Sequence, residues 1–372
     1  MHKFPTNLSN LKVVLSHDWL TGMRGGERVL EILCEAFPNA PIFTLIHNQS
    51  SISDAINSHN ITTSWLQNIP GIFKYYRYFL PLLPSIIEGM RTPQADLLIS
   101  TSHCVAKGLS SRSRSKHLCY CFTPMRYAWT FYEEYFGQNI LKAIVAKPIL
   151  AAMRKWDKNS SARVDRFVAI SHHVRKRIAD FYERDADVVY PPIDTEKWTI
   201  GGQRSRKFDL IVSALVPYKR IDLTIEAYNH LGFPLKIVGV GTELEKLRSS
   251  ASPNIEFMGW QSDEKLLELY RNCRLLVFPG EEDFGIVPLE AQSCGTPVVA
   301  FGKGGLLETV QDGTTGTFFK KQTVESFCNA VKQAASMNWN PRTIRANAEK
   351  FDTQNFISGL ASSIEKCLSQ SP

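Results

Sequence analysis

The chain has 372 residues, a hydrophobic content of 44% and a formal net charge of +7 at pH 7. This length suffices for two domains of ordinary size, each with its own core. No apolar run approaches the roughly 20 residues that a membrane-spanning helix needs, and the first ten residues are polar, so we expect neither a spanning helix nor a secretion signal. The positive charge favours anionic partners, among which nucleic acid is the weakest candidate because no recognition module accompanies the charge.

The cysteines are scattered along the chain, with no Cys-x-x-Cys pair and no His/Cys cluster at zinc spacing. We therefore expect reduced thiols and no metal centre. Cys119, Tyr120 and Cys121 alternate as in a strand, which favours a packing role for these two thiols.

The first half of the chain begins with a strand, a glycine loop and a helix. The predicted strand Lys12–Ser16 leads into His17 and Asp18, the loop contains Gly25 and Gly26, and the helix covers about Glu27–Phe37. Further strands are predicted at Ile42–Leu45, Asp96–Ser100, His117–Phe122, Arg166–Ile170 and Val188–Tyr190. Helical segments between several of these strands predict a parallel sheet with helices on both faces.

A polar, glycine-bearing linker at about Trp198–Lys207 separates this series from a second one. The second series predicts strands at Leu210–Ser213, Leu235–Val238, Ile255–Met258, Leu275–Phe278 and Val298–Phe301, and helices at Ile221–Leu231, Glu243–Ser249 and Asp263–Cys273. We therefore expect an α/β fold with one domain at 1–198 and another at 199–350. A last helix within 351–372 is expected to pack back on the first domain.

The segment Pro279–Ala291 places two carboxylates around a glycine turn where a strand gives way to a helix. Pro288 suits the first turn of that helix, which is expected to stop near Gly295. A helix start offers backbone N–H groups to an anion, and Glu282 and Glu290 can accept hydrogen bonds from hydroxyls. The pattern predicts a site for a ligand that carries both phosphate and hydroxyl groups.

These features together resemble the retaining glycosyltransferases of family 4, in the branch of bacterial O-antigen and exopolysaccharide mannosyltransferases. The resemblance rests on the spacing of Glu282 and Glu290, on the basic loop that contains Lys219, and on the glycine loop after the first strand. The segments Asp96–His103, Tyr120–Trp129 and Tyr190–Asp194 extend it over nearly the whole chain. It implies the GT-B fold, in which two Rossmann-like parallel-sheet domains face a cleft, the first on the acceptor side and the second binding the donor nucleotide sugar.

The resemblance also implies roles around the carboxylate turn. Glu290 would bind the ribose hydroxyls of the donor, and Glu282 a hydroxyl of the donor sugar. Backbone donors to the sugar and diphosphate would come from Phe284, Gly285, Ile286 and Val287. A fixed carboxylate suits vicinal hydroxyls, and a helix start suits a diphosphate.

Lys219 and Arg220 resemble the family's basic pair at the diphosphate. Fixed cations would compensate the charge that develops on the departing nucleoside diphosphate, so the resemblance implies no cofactor and no metal. Many relatives have an arginine at the position of Ala214.

In the first domain, Gly25 and Gly26 would let the backbone approach the donor phosphates. His103 follows a predicted strand and would contact the donor sugar or orient the acceptor. Many relatives carry a further histidine where this chain has Phe122. The candidate acceptor-side residues are Asp18, Arg126 and Trp129.

The resemblance implies retaining transfer of a hexose, with mannose from GDP-mannose as the first choice, to a lipid-linked or growing surface polysaccharide. Guanine, uracil and adenine remain open as the donor base. Two other functions stay open: a sugar-nucleotide epimerase on the same fold, and a non-catalytic assembly protein that binds the donor.

The protein is expected in the cytoplasm, with peripheral contact at the inner face of the cytoplasmic membrane as a further hypothesis. The segment 69–87 is aromatic, apolar and basic, and Leu141–Lys155 is basic and amphipathic, so both suit a bilayer surface. Core-facing helices of the first domain explain the same two patterns equally well.

Overall fold

The structure is a computed structural model that describes residues 4–5, 8, 10–111, 115–129, 140–202 and 205–369, with residues 140–146 described as backbone. It forms two compact units. The first holds the chain up to Pro191 together with the segment that starts at Gln354, and the second holds Pro192–Thr353.

The first unit is built on a seven-stranded parallel sheet in the order β3-β2-β1-β4-β5-β6-β7. Its strands are β1 (Val13–His17), β2 (Ile42–Thr44), β3 (Ile61–Thr63), β4 (Leu97–Ser102), β5 (Lys116–Cys121), β6 (Arg166–Ala169) and β7 (Ala186–Val188). Its helices are α1 (Gly25–Ala36), α2 (Asp54–Asn57), α3 (Ile72–Tyr75), α4 (Leu83–Gly89), α5 (Arg126–Trp129), α6 (Ile140–Ser161) and α7 (His172–Tyr182).

The second unit contains a six-stranded parallel sheet in the order β10-β9-β8-β11-β12-β13. Its strands are β8 (Asp209–Val212), β9 (Leu235–Val238), β10 (Ile255–Gly259), β11 (Leu276–Phe278), β12 (Val298–Phe301) and β13 (Gly316–Phe319). Its helices are α8 (Ile221–Leu231), α9 (Leu244–Ser249), α10 (Asp263–Asn272), α11 (Ile286–Ser293), α12 (Leu306–Thr309), α13 (Val324–Ser336) and α14 (Pro341–Ala348), and the last helix in the described residues is α15 (Thr353–Ser369).

Helix starts in both units follow capping rules. Ser171, Ser262 and Thr323 each accept a hydrogen bond from a backbone N–H in the first turn of the helix that follows, and Asn340 accepts two. Such caps satisfy amide groups that have no partner inside the helix. The helix boundaries in the second unit are therefore set by local chemistry.

The two parallel sheets confirm the predicted α/β class. The sequence missed β3 and β13, which are short edge strands that pair on one side only. The strand predicted at Val188–Tyr190 lies two residues earlier, at Ala186–Val188, because the proline pair that follows cannot continue the ladder. Trp198, expected in the linker, is buried in the second unit with its ring centroid 5.4 Å from that of Tyr270.

Helix α15 packs on the first sheet. The ring of Phe356 meets that of Tyr120 edge-on at 5.7 Å, and Ser363 Oγ donates a hydrogen bond of 2.9 Å to Asp187 Oδ2. A Cβ at Gly359 would lie 3.1 Å from Val189 Cγ1, so the helix approaches the end of the sheet closely. All eight cysteines are buried and free of disulfides.

A buried ion pair lies in the core of the first unit. The side chains of Lys107 and Asp157 are 2% and 0% exposed, and Lys107 Nζ contacts Asp157 Oδ1. The other carboxylate oxygen accepts hydrogen bonds of 2.8 Å from Trp129 Nε1 and from the Tyr182 hydroxyl. Burial alone would lower the pKa of Lys107, but the charge of Asp157 outweighs it and raises that pKa, so the lysine stays protonated.

No helix in the described ranges combines the length and the apolar character that crossing a bilayer requires.

We predict that Asp157→Ala lowers the free energy of unfolding by about 3–5 kcal/mol, because it leaves the Lys107 ammonium buried without its counter-charge. Urea unfolding of the variant and the wild type measures this. The matched control is Lys158→Ala, one residue along the same helix, whose side chain and that of its partner Glu183 are 44% and 75% exposed. Removing this exposed pair is expected to change stability by about 1 kcal/mol or less. Losses of equal size in the two variants would contradict the prediction.

Candidate functional site

The carboxylate turn lies where the sequence placed it, between β11 and α11. Gly285 precedes the helix with a φ of 106°, a conformation that side chains other than glycine rarely adopt. The first turn of α11 starts at Ile286 and Val287, both of which are partly exposed. Backbone N–H groups in the first turn of a helix have no partner inside that helix, so this turn presents donors.

Lys219 and Glu282 are in direct contact, with Nζ of the lysine against Oε1 of the glutamate. Their side chains are 14% and 15% exposed, so the pair is largely shielded from solvent. The ammonium also lies 5.1 Å from the ring centroid of Tyr218 and 5.6 Å from that of Phe278. Lys219, which the sequence assigned to the diphosphate of the donor, and Glu282, which it assigned to the donor sugar, therefore form one ion pair.

Gly280 makes this contact possible. A Cβ at this position would lie 3.1 Å from both Cα and the carbonyl oxygen of Lys219. A side chain here would therefore require the lysine loop to shift by a few tenths of an ångström. The sequence reasoning did not single out Gly280.

Arg220 is oriented by neighbours in its own unit. Its Nε lies 3.2 Å from Asp222 Oδ1, and its Nη1 donates to Gln322 Oε1 at 3.4 Å. Gln322 in turn donates from Nε2 to the carbonyl of Pro279 at 2.9 Å. The guanidinium is thus linked to the start of the carboxylate turn through one glutamine.

Glu290 is the fifth residue of α11 and is 9% exposed. Its Oε2 accepts a hydrogen bond of 2.9 Å from the hydroxyl of Tyr270. Burial raises the pKa of Tyr270 well above its usual range, and the charge of Glu290 adds to this, so the phenol stays protonated as the donor. Tyr270 therefore fixes the orientation of the carboxylate, a role that the sequence did not reveal.

Phe284 is almost fully buried, with 3% of the residue exposed. Its ring packs edge-on against Phe351 at 5.7 Å, and its carbonyl accepts a hydrogen bond of 3.3 Å from Thr309 Oγ1. These two contacts hold Phe284, and with it the carboxylate turn, in place.

A glycine loop after β12 packs on the carboxylate turn. The Gly305 N–H donates to the Glu282 carbonyl at 2.7 Å, and Lys303 Nζ lies 2.9 Å from Glu281 Oε2. Cβ atoms at Gly304 and Gly305 would each lie 2.3 Å from a carbonyl oxygen of the turn, those of Glu282 and Asp283. The sequence analysis missed this support, although a glycine-rich run at 302–305 is a signal for close backbone packing.

In the first unit, Asp18 and His103 form one hydrogen-bonded group. The Asp18 carboxylate is completely buried and accepts backbone hydrogen bonds of 2.6–3.0 Å from the N–H groups of four consecutive residues, 103–106. Its Oδ2 also lies 2.9 Å from His103 Nδ1. Burial would raise the pKa of Asp18, but the charge and hydrogen bonds of His103 lower it well below its usual range.

His103 is one-third exposed and is held on both sides. Its ring meets that of Trp19 edge-on at 4.7 Å and lies 6.4 Å from that of Phe122. Because Nδ1 faces Asp18, Nε2 is the nitrogen available to a ligand. Asp18 itself is completely buried, so it cannot contact a ligand directly. Its effect is to hold His103 and the loop 103–106 in position.

Gly26 stands in the first turn of α1, close to the same rings. A Cβ there would lie 3.2 Å from the Phe122 ring and 3.6 Å from the His17 ring. Gly25, partly exposed, is the first residue of the helix. Glu27 caps this helix start, since its Oε2 accepts a hydrogen bond of 3.1 Å from the Arg24 N–H.

Arg126 and Trp129 lie on the short helix α5, and both are partly buried. Trp129 stacks on Phe181 at 4.6 Å and donates to Asp157, as described above. It thus belongs to the buried ion-pair cluster and not to the group around His103. Within the described ranges, we find no group of three or more His, Cys, Asp or Glu side chains placed to hold a metal ion.

We predict that Asp18→Asn lowers the free energy of unfolding at pH 7 by at least about 2 kcal/mol, because an amide nitrogen cannot accept the N–H groups that one carboxylate oxygen accepts. The folded-state pKa of Asp18 lies below the ordinary value of about 3.9, so its contribution is complete above that value and declines as the pH falls below it. Chemical unfolding from pH 8 to pH 3 should show a constant gap between the two proteins down to about pH 4, and a narrowing gap below. A gap that narrows between pH 8 and pH 6 would contradict this.

We also predict that Gly305→Ala lowers stability by about 1–3 kcal/mol, because the new methyl group overlaps the Asp283 carbonyl. Thermal unfolding of the variant measures the loss. Gly22→Ala is the control, since a Cβ there meets nothing within 4 Å. Equal melting temperatures for the two variants would show that the turn yields without penalty.

Comparison with known proteins places these two units in a family. Residues 23–197 match the family model "Glycosyltransferase Family 4", and residues 193–351 match "Glycosyl transferases group 1". An uncharacterized glycosyltransferase of Methanocaldococcus jannaschii is 27% identical over 203 residues, which is 53% of this chain and 57% of that protein. D-inositol 3-phosphate glycosyltransferase of Rhodococcus erythropolis is 28% identical over 264 residues, 62% of this chain and 60% of that protein. The matched stretch thus spans less than two thirds of either relative.

Solved structures agree on the fold. The lipopolysaccharide outer core galactosyltransferase WaaB superposes with a TM-score of 0.68 at 16% identity, covering 95% of this chain and 99% of WaaB. HepE of Anabaena, solved with UDP and glucose, gives a TM-score of 0.68 at 17% identity over 97% of this chain and 100% of HepE. Sucrose-phosphate synthase of Thermosynechococcus elongatus gives 0.72 at 14% identity over 97% and 100%. The chain belongs to the glycosyltransferases with the GT-B fold.

Proposed function

We propose that this protein transfers a hexose from a nucleotide sugar to a hydroxyl of a lipid-linked or growing surface polysaccharide, with retention of configuration. We name mannose from GDP-mannose as the donor to test first. The observation that carries the proposal is the shielded Lys219–Glu282 pair at the start of a helix whose fifth residue is the buried Glu290. Neighbours of this fold hold UDP and glucose or are galactosyltransferases by name, which supports a nucleotide-sugar donor of some kind.

The proposed donor contacts follow from the chemistry of each group. Glu290, oriented by Tyr270, accepts hydrogen bonds from the ribose hydroxyls. The first-turn N–H groups of Ile286 and Val287 receive the diphosphate, together with Lys219 and Arg220. Glu282 then accepts a hydrogen bond from a hydroxyl of the sugar.

The proposed reaction needs no side-chain nucleophile. The bond between the anomeric carbon and the phosphate oxygen breaks, and the acceptor oxygen forms its bond to the same face of that carbon. The departing diphosphate takes the proton of the acceptor hydroxyl. Lys219 and Arg220 stabilise the negative charge on the diphosphate, so we propose that transfer requires neither a metal nor a cofactor.

In the first unit, we assign His103 to the sugar or the acceptor hydroxyl, through its Nε2. Asp18 is a positioning residue in this proposal, because its carboxylate is buried against the loop that carries His103. Gly25 and Gly26 offer the start of α1 to the donor phosphates. Arg126 is a candidate contact for the acceptor, whereas Trp129 supports the adjoining helix through Asp157.

We predict that Lys219→Ala lowers kcat/KM by about 100-fold to 1000-fold, as expected when a preorganised group that stabilises developing charge is removed. Glu290→Ala is expected to weaken donor binding at least tenfold, since hydrogen bonds to a charged group contribute about 1.5–3 kcal/mol each. Initial rates and calorimetric titration with the donor measure the two effects. Lys236→Ala, which removes a lysine paired with Glu256 on the neighbouring strand, is the control and should match the wild type. Unchanged donor turnover and affinity in both site variants would refute the assignment.

The donor and the reaction class are tested together. A thermal-shift panel of GDP, UDP and ADP sugars identifies the base, since a bound donor stabilises the folded state by mass action. Release of nucleoside diphosphate only after acceptor is added indicates transfer. Conversion of the donor without acceptor would indicate an epimerase, and donor binding without any turnover would indicate an assembly protein.

A further inference from the structure

One segment of the first unit exposes an unusual amount of apolar surface. Of the nine large hydrophobic side chains that are exposed in the described chain, five lie between positions 65 and 82. They are Trp65 at 55% exposure, Phe73 at 39%, Tyr75 at 54%, Tyr78 at 81% and Leu82 at 52%, and we call these five residues the aromatic patch. Single exposed hydrophobic residues are ordinary on protein surfaces, but such a concentration marks an interaction surface.

The core of the unit does not require these side chains. The same segment buries Ile72, Tyr76, Leu80 and Leu83, which recur at helical spacing and pack into the core beside Trp19. The patch residues occupy the positions between them, on α3, on the 3-10 helices 65–68 and 76–79, and at the approach to α4. Tyr75 and Tyr78 stand with ring centroids 6.3 Å apart, so the exposed rings adjoin each other.

This segment carries basic residues and no acidic ones. Residues 55–87 contain no aspartate or glutamate, whereas Lys74 and Arg77 are both exposed among the patch residues. Glu88, the first acid that follows, is held by Arg163 at 2.5 Å and by Trp156 at 2.9 Å. A cavity of about 290 Å³ beside Trp65 is also lined by Thr62, Ser64 and Arg91. Exposed apolar rings and exposed positive charges therefore alternate along the same segment.

We propose that the aromatic patch is the surface by which this protein binds an anionic lipid bilayer. Tyrosine and tryptophan favour the boundary between headgroups and acyl chains, and lysine and arginine are attracted to anionic headgroups. The proposal deepens the proposed function, because it assigns the surface that brings the protein to a lipid-linked acceptor. A carbohydrate chain is the competing occupant, since sugars also stack on aromatic rings, but it gives no reason for the exclusion of acidic residues over 33 positions, 55–87.

The test is co-sedimentation of the full chain with vesicles of phosphatidylcholine alone or with about one third phosphatidylglycerol. The wild type should partition more than tenfold better onto the anionic vesicles. Lys74→Gln with Arg77→Gln should lower partitioning onto anionic vesicles by about fivefold for each cation removed, with little change on neutral ones. Phe73→Ser with Tyr75→Ser and Tyr78→Ser should lower partitioning onto both kinds of vesicle, because the apolar contribution does not depend on lipid charge.

Matched controls come from the second unit. Val240→Ser with Leu307→Ser removes two side chains of similar exposure, 55% and 57%, and Lys320→Gln with Lys332→Gln removes two exposed cations. Both controls should bind vesicles as the wild type does. Failure of the wild type to bind anionic vesicles, or equal losses in patch and control variants, would overturn the proposal. Binding of a soluble polysaccharide that the aromatic substitutions weaken, without binding to either kind of vesicle, would also overturn it, in favour of a carbohydrate surface.

The result of the vesicle-binding test can be distinguished from the result of the test for sugar transfer. Thermal unfolding of each patch variant verifies that it is folded, and donor binding by the same variants should equal that of the wild type. Normal vesicle binding without any sugar transfer would refute only the enzymatic assignment. Normal transfer to a soluble acceptor without vesicle binding would refute only the membrane surface.

Discussion

A buried carboxylate must have its lone pairs satisfied, and this requirement shapes the first unit. Asp18 has no exposed surface, and its partners include the consecutive N–H groups of residues 103–106 and the ring of His103. Meeting that requirement folds the chain after β4 into a tight loop and fixes the position of His103. The same loop continues into Lys107, whose own burial requires Asp157. One electrostatic constraint thus leads to the next, from the end of β1 to helix α6.

In the second unit, close backbone packing at glycines fixes the positions of the loops, as the buried charges do in the first unit. Gly280 lets the Lys219 loop approach the carboxylate turn, and Gly304 and Gly305 let the loop after β12 support the turn from another direction. Three chain segments therefore meet at distances that are tight for a side chain at Gly280 and too short for one at Gly304 and Gly305. A proposed site built in this way is rigid, since moving any one segment requires moving the others.

The sequence predicted a great deal of this organisation and missed parts of it for physical reasons. Buried parallel strands such as β4 and β5 produce apolar runs that are easily recognised, whereas β3 and β13 pair on one side and carry short, mixed signals. The carboxylate turn was predictable because two glutamates, a glycine and a proline lie within one segment. Tyr270 was not, since its contact with Glu290 joins residues 20 positions apart through the packing of α10 on α11. Trp129 was predicted as an acceptor-side residue, but its indole N–H donates to the buried Asp157. The sequence does not reveal this contact, because it joins two residues 28 positions apart.

The contact between Lys219 and Glu282 has a consequence for the recognition of stereoisomers. With no donor bound, each charge neutralises the other in a shielded position. If a diphosphate takes over the lysine, as proposed, the carboxylate loses its partner and must find a sugar hydroxyl at the right position. An epimer with that hydroxyl on the opposite face would leave a shielded carboxylate unpaired, which is far more unfavourable than the loss of one ordinary hydrogen bond. Under the proposed function, the ion pair would make diphosphate binding and sugar identity interdependent, and a nucleotide carrying the wrong hexose would be rejected even though its phosphates fit.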